Sequence, residues 1–308
     1  MSATSAHPLG RERLLLGAAL KVAAMFLFAL MFAGVKWLGP SVPIGEIVFC
    51  RAFFGMAIIA AAALATGGPS LLRTSRLQTH ATRSLLGVTA MFCNFLAVMF
   101  LPLADATAIG FAAPLFIVIL AALILGENVH AYRWSAVAIG FAGVVVIVGP
   151  EAQLASGGSL IGALFALAGA GLSAMAMIVL RRMTAHEHSE AIAFYFMLTS
   201  TVIGLATLLW GWKLPSPAEM AVLGLMGVFG GAGQLLLSFS YRHGEASVLA
   251  PFDYSMMLWA VTLGYFLFGD LPTVQVLIGA CFVIGGGLLI LWREHVLGRQ
   301  RAHQAQSL

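Results

Sequence analysis

Residues 104–127, ADATAIGFAAPLFIVILAALILGE, and residues 244–270, GEASVLAPFDYSMMLWAVTLGYFLFGD, settle what kind of chain this is. Each is a long apolar run opened by an acid-Ala-hydroxyl triplet, Asp105-Ala106-Thr107 in one and Glu245-Ala246-Ser247 in the other. Each closes on a glycine and a carboxylate, Leu125-Gly126-Glu127 against Phe268-Gly269-Asp270. The second run is longer by about one helical turn. A bilayer core about 30 Å thick takes roughly 20 apolar residues as a helix, and both runs reach that length. Two crossings with matching ends, far apart in one chain, point to an internal repeat.

Outward from these runs the correspondence continues in order. Asn94 precedes the first as Gln234 precedes the second, Leu160-Ile161-Gly162-Ala163-Leu164 echoes Leu16-Gly17-Ala18-Ala19-Leu20, and Lys36 falls within one residue of Arg181. Apolar runs of membrane length lie near 16–37, 43–66, 82–101, 105–125, 133–149, 159–180, 190–210, 218–240, 246–268 and 273–292. Between them stand turn and polar residues, among them Pro40 to Pro43, Pro150 to Gly158, His186 to Glu190 and Pro215 to Pro217. Backbone groups cannot stay unpaired in lipid, so each run is expected as an uninterrupted helix. The chain therefore divides into a tail (1–14), a first five-helix repeat (15–150), a second (158–292) and a C-terminal tail (293–308). Five is odd, so the two repeats must insert upside down relative to each other. The expected fold is an all-α membrane protein, ten transmembrane helices in two inverted repeats around a central cavity.

Composition agrees. Of 308 residues 61% are hydrophobic and 9% charged, against about 25% charged in soluble domains. The net charge of +4 is spread over pairs and triplets of basic residues, which is no nucleic-acid patch. With the N-terminus inside the cell, the cytoplasmic side collects Arg11, Arg13, Arg73, Arg76, Arg83, Arg133, Arg181, Arg182, Arg242, Arg293, Arg299 and Arg301. The other side holds Lys36 and Lys213. This bias predicts a multi-pass protein of the bacterial inner membrane with both termini cytoplasmic. Cys50, Cys93 and Cys281 lie in separate apolar runs with no metal-ligand spacing, and are expected as small hydrophobes packed between helices.

The ten-span length, the repeat, the Gly126-Glu127 and Gly269-Asp270 closures, Arg51 early in the second span, and the run Tyr241 to Tyr254 together resemble the drug/metabolite transporter superfamily, EamA type. The resemblance covers residues 15 to 292; one departure is Asp270, where Glu is commoner. It implies a basket with spans 1, 3, 4, 6, 8 and 9 around the cavity and spans 5 and 10 outside as supports. It also implies export of amino acids or related metabolites.

Candidate substrate-binding residues follow from polarity at membrane depth, which often marks solute paths. Asn94 and Gln234 sit mid-span at matched positions; each is either helix-to-helix glue or part of a cavity. Pro251, Tyr254 and Ser255 share one face of span 9, and Phe111 offers an aromatic on span 4 near Pro114. Asp253 is either an interfacial acid near the headgroups or a functional group that pairs with a cation, binds a substrate amine or stays protonated. Glu46 and Arg51 are expected as a structural ion pair or a substrate anchor, and Lys21 is expected to snorkel to the interface. Gly224, Gly227, Gly230 and Gly231, with Gly140 and Gly143, suit close helix contact.

Secondary transport is the leading function, because inverted repeats around a midplane site let two halves rock. The alternatives are carriage of a nucleoside, vitamin or amine, an intramembrane enzyme, or a channel. No GxxxxGK[ST] loop, HExxH or GxSxG occurs, and no filter-like segment is visible. No cofactor is called for. The expected partners are a small-molecule substrate and lipid, without nucleic acid; a monomer is compatible with the sequence. Sparse fixed charge in the expected cavity argues against a polyanion and for a zwitterion or neutral solute.

Overall fold

The computed structural model describes residues 8–66, 68–74, 76–125, 131–153, 157–183, 187–243 and 246–306. The first half holds α1 (Pro8–Leu38), α2 (Ile44–Thr66), α3 (Leu77–Phe100), α4 (Leu103–Gly110), α5 (Ala113–Leu125) and α6 (Ala131–Gln153). The second holds α7 (Gly157–Met183), α8 (Ser189–Ala206), α9 (Pro217–His243), α10 (Ala246–Leu249), α11 (Ser255–Leu263) and α12 (Val274–Gln306). Among the described residues nine stretches are long and apolar enough to cross a membrane. The tenth crossing, 246–268, is a stack of short pieces: α10, a 3₁₀ turn (Ala250–Tyr254), α11 and a π turn (Gly264–Phe268).

Two spans thus depart from the uninterrupted helices expected. In span 4, Pro114 has no N–H and crowds the preceding turn; Ala112 N–H bonds back only three residues, to Ile109 O at 2.9 Å, before α5 restarts. In span 9 Pro251 opens the 3₁₀ turn, and Ser255 Oγ donates to Phe252 O at 2.7 Å, returning a partner to a displaced carbonyl. Several hydroxyls are satisfied within their own helix, as where Thr199, Ser200 and Thr201 donate to Tyr195, Phe196 and Met197 carbonyls. Pro150 does not end α6, which runs on to Gln153, and α12 continues through most of the expected tail. The closure Gly126-Glu127 and residues His186, Gly244 and Glu245 lie outside the described residues.

The packing partners show how the repeats interlock. α1 packs most extensively on α9, and α3 on α7; exchanging the halves turns the first contact (spans 1 and 8) into the second (spans 6 and 3). The contacts of α2 with α8 and of α6 with α12 map onto themselves under that exchange. Close approach explains several glycines. A Cβ at Gly143 would strike Gly279 O, one at Gly286 would strike Ala136 O, and Gly227 and Gly231 sit against Phe54 and Gly55 of α2. Gly224 faces open space, so it plays no part in that contact. Of the cysteines, Cys50 and Cys93 are half-buried as expected, whereas Cys281 is exposed and not packed between helices.

Candidate functional site: a cavity between the two halves

Six helices, α1, α2, α3, α7, α8 and α9, line an open cavity of about 370 Å³. Its apolar walls include Phe28, Phe32, Phe95 and Phe196 with Met31 and Met91. Its polar groups are Arg51, Arg83, Asn94, Ser173 and Gln234. Sites for small organic solutes have this makeup, mostly apolar with a few placed polar groups. Asn94 and Gln234 are brought together here from α3 and α9, and Asn94 Oδ1 lies against Gly169 of α7, where no side chain blocks it.

The lining differs from the arrangement implied above. Spans 2 and 7 stand where spans 4 and 9 were expected, because the broken spans pack elsewhere: α4 and α5 on α7, and α11 on α1 and α4. Spans 5 and 10 do stand outside, against each other. Phe111, Pro251, Asp253, Tyr254 and Ser255 are not among the residues that line this cavity. The Phe111 and Tyr254 rings meet edge to face at 5.0 Å, and the Tyr254 hydroxyl points at Gly287 of α12.

Arg51 and Glu46 do not pair. Five residues apart on a helix, they point about 140° away from each other, and only spacings of three or four bring side chains together. Glu46 is buried with Oε2 unpartnered, whereas Arg51 Nη1 approaches the Met91 and Met197 sulfurs at 3.2 and 3.6 Å. Arg83, read from sequence as part of the cytoplasmic charge bias, instead lines the cavity, its guanidinium 4.5 Å from the Phe196 ring. Fixed charge in the cavity is thus not sparse. No sequence pattern marks Arg83 as different from the loop arginines around it; only the approach of α8 does.

Ion pairs tie the halves together at both ends. Lys21 does not snorkel: it is fully buried, 3.0 Å from Asp253 Oδ2, and donates to the Tyr241 hydroxyl at 2.7 Å. Asp253 thus has a cation partner, one of the readings offered for it. At the opposite end Lys36 Nζ meets Asp270 Oδ2 at 2.8 Å and Leu101 O at 3.0 Å. Where α3 and α8 begin, Glu187 accepts from Thr74 Oγ1 at 3.0 Å and pairs with His80 Nε2 at 3.2 Å. Desolvation works to raise the Glu187 pKa, but bonds from His80 and Thr74, helped by the nearby Arg76 charge, hold it below the usual carboxylate value.

The EamA-like transporter family matches residues 15–149 and 160–292. A Rickettsia conorii S-adenosylmethionine uptake transporter is 30% identical over 274 residues, covering 88% of this chain and 90% of its own. A Pseudomonas aeruginosa pseudopaline exporter is 29% identical over 89% and 93% of the two chains. A Rhizobium johnstonii riboflavin transporter is 29% identical over 92% and 93%. A solved crystal structure aligns with 94% of this chain and 97% of its own, at a TM-score of 0.59 and 23% identity, a likeness of fold. The chain belongs to the EamA-like transporter family. It is a multi-pass membrane transporter of a small metabolite, and not an enzyme.

Proposed function

We propose that this transporter exports amino acids, or metabolites of similar size and chemistry, by alternating access across the bacterial inner membrane, with both termini in the cytoplasm. The observation that carries the reading is the cavity itself. It lies between the halves, both contribute to its walls, and amides at matched repeat positions, Asn94 and Gln234, face it with aromatic and thioether groups around them. Ion pairs bridging the halves at the two ends, Lys21–Asp253 and Lys36–Asp270, give rocking halves something to break and remake. Arginines removed from the loop count by burial leave the charge bias intact, since the opposite side still holds only Lys36 and Lys213. Relatives are named for both uptake and export; the family resemblance favours export.

The test is uptake of radiolabelled threonine, methionine and aromatic amino acids into proteoliposomes. Saturable uptake with counterflow, above protein-free liposomes, is expected and distinguishes a carrier from a channel. Uptake no greater than that of protein-free liposomes for every amino acid would remove the amino-acid assignment and turn the search to nucleosides, vitamins and amines.

A further inference from the structure

Two arginines project into the cavity wall without a carboxylate to meet them, and we infer that together they clamp the carboxylate of the transported solute. The inference rests on this cavity being the transport site. Arg51, only 6% exposed, enters from α2; its Nε has no partner and its Nη1 has only methionine sulfurs nearby. Thioethers are weak acceptors for a guanidinium. Arg83 enters from α3 with Nε and Nη1 both unpartnered. The two cations flank one ring, Phe196, at 5.8 and 4.5 Å, close enough to repel each other. Among the described residues no acid pairs with either, and Glu46 on the same helix as Arg51 is turned away.

Charge at membrane depth is costly and ordinarily paired. Two like charges facing one space are relieved by an anion placed between them. A carboxylate fits: two oxygens accept from guanidinium forks, singly or bidentately. Glycines keep the space open. A Cβ at Gly230 would come within 3.2 Å of Arg51 Nε, and one at Gly87 within 2.9 Å of the Phe196 ring and 3.6 Å of Arg83 Nη1. Beyond the cations the walls are mostly apolar, with Phe28, Phe32 and Phe95 beside the Asn94 and Gln234 amides and Ser173, so the body of the solute is largely apolar or aromatic. The substrate class is a monocarboxylate with an apolar body, zwitterionic amino acids included, and amines lacking a carboxylate are excluded.

Purified full-length protein in detergent tests this by ligand-induced thermal stabilisation, with 3-phenylpropionate, phenylalanine and tryptophan as probes and 3-phenylpropionamide and phenethylamine as controls. Stabilisation by carboxylates and not by the controls is expected. Arg51→Gln and Arg83→Gln should each weaken that response roughly ten- to hundredfold, the effect of losing a charge-assisted bond. Carboxylate and amide acting alike, or no carboxylate acting at all, would overturn the clamp, and the wild-type comparison stands even if a variant fails to fold. The two readings separate cleanly. Amino-acid uptake undiminished in either Gln variant removes the clamp and keeps the transporter. Selective carboxylate binding without amino-acid uptake keeps the clamp and removes the amino-acid assignment.

Discussion

Lys21 is among the largest fully buried side chains of the protein. Among the described residues its charge is met by Asp253 and by the hydroxyl and ring of Tyr241. Asp253→Asn should lower stability by roughly 2–3 kcal/mol, less than the full penalty for breaking a buried pair because Asp253 is 42% exposed. Thermal denaturation and proteoliposome uptake check this, and Lys21→Asp combined with Asp253→Lys should recover part of the loss. Glu187 makes a second residue-scale prediction. Its folded pKa is depressed, so its contribution is present above the ordinary carboxylate value and disappears as pH falls through the folded one. Glu187→Gln should cost about 1 kcal/mol at neutral pH, and flatten the acid limb of a stability profile read by thermal melting between about pH 5 and 3. At this scale the sequence spoke unevenly. Asn94 and Gln234 could be picked out because an amide within an apolar run is conspicuous, and their common cavity follows from the repeat. Arg83 and Lys21 could not, since a cation near a span end reads the same whether it faces water, lipid or another helix.

The π turn at the end of span 9 closes on Gly269, whose φ of +71° lies in the left-handed region. Its N–H bonds Tyr265 O at 3.0 Å and the next, on Asp270, bonds Gly264 O at 3.1 Å. That cap aims Asp270 at Lys36. Gly269→Ala should cost about 1–2 kcal/mol from the backbone conformation alone, visible as a lowered melting temperature and reduced uptake. A second element-scale expectation concerns α6 and α12, which meet at Gly143 and Gly279: Gly143→Val should lower the melting temperature by pushing the two backbones apart. Element positions were legible because length and apolarity are all a bilayer asks of a crossing. The breaks in spans 4 and 9 were legible only in part. Pro114 and Pro251 announce a disturbed turn, but whether a proline kinks a helix or splits it depends on the neighbours that receive the freed carbonyls.

For the molecule as a whole, the odd span count and the ordered matches between halves made the inverted architecture readable before any coordinate. They could not specify which helices wall the cavity, because that follows from how far the broken spans lean away. The structure adds that neither half is complete. α1 finds its principal partner in α9, and α3 in α7. The two halves, produced as separate chains split within residues 154–156, should therefore form a complex that co-purifies and transports when co-expressed, and neither should transport alone. The same exchange of partners sets a schedule for biosynthesis. Lys21 enters the membrane long before Asp253 has been made; at about 5–20 residues per second the wait is roughly 10–50 s. Throughout that interval the nascent chain holds a lysine with no acid to meet it. That favours keeping α1 beside the insertion machinery, or shallow in the bilayer, until the ninth crossing arrives and releases it into place.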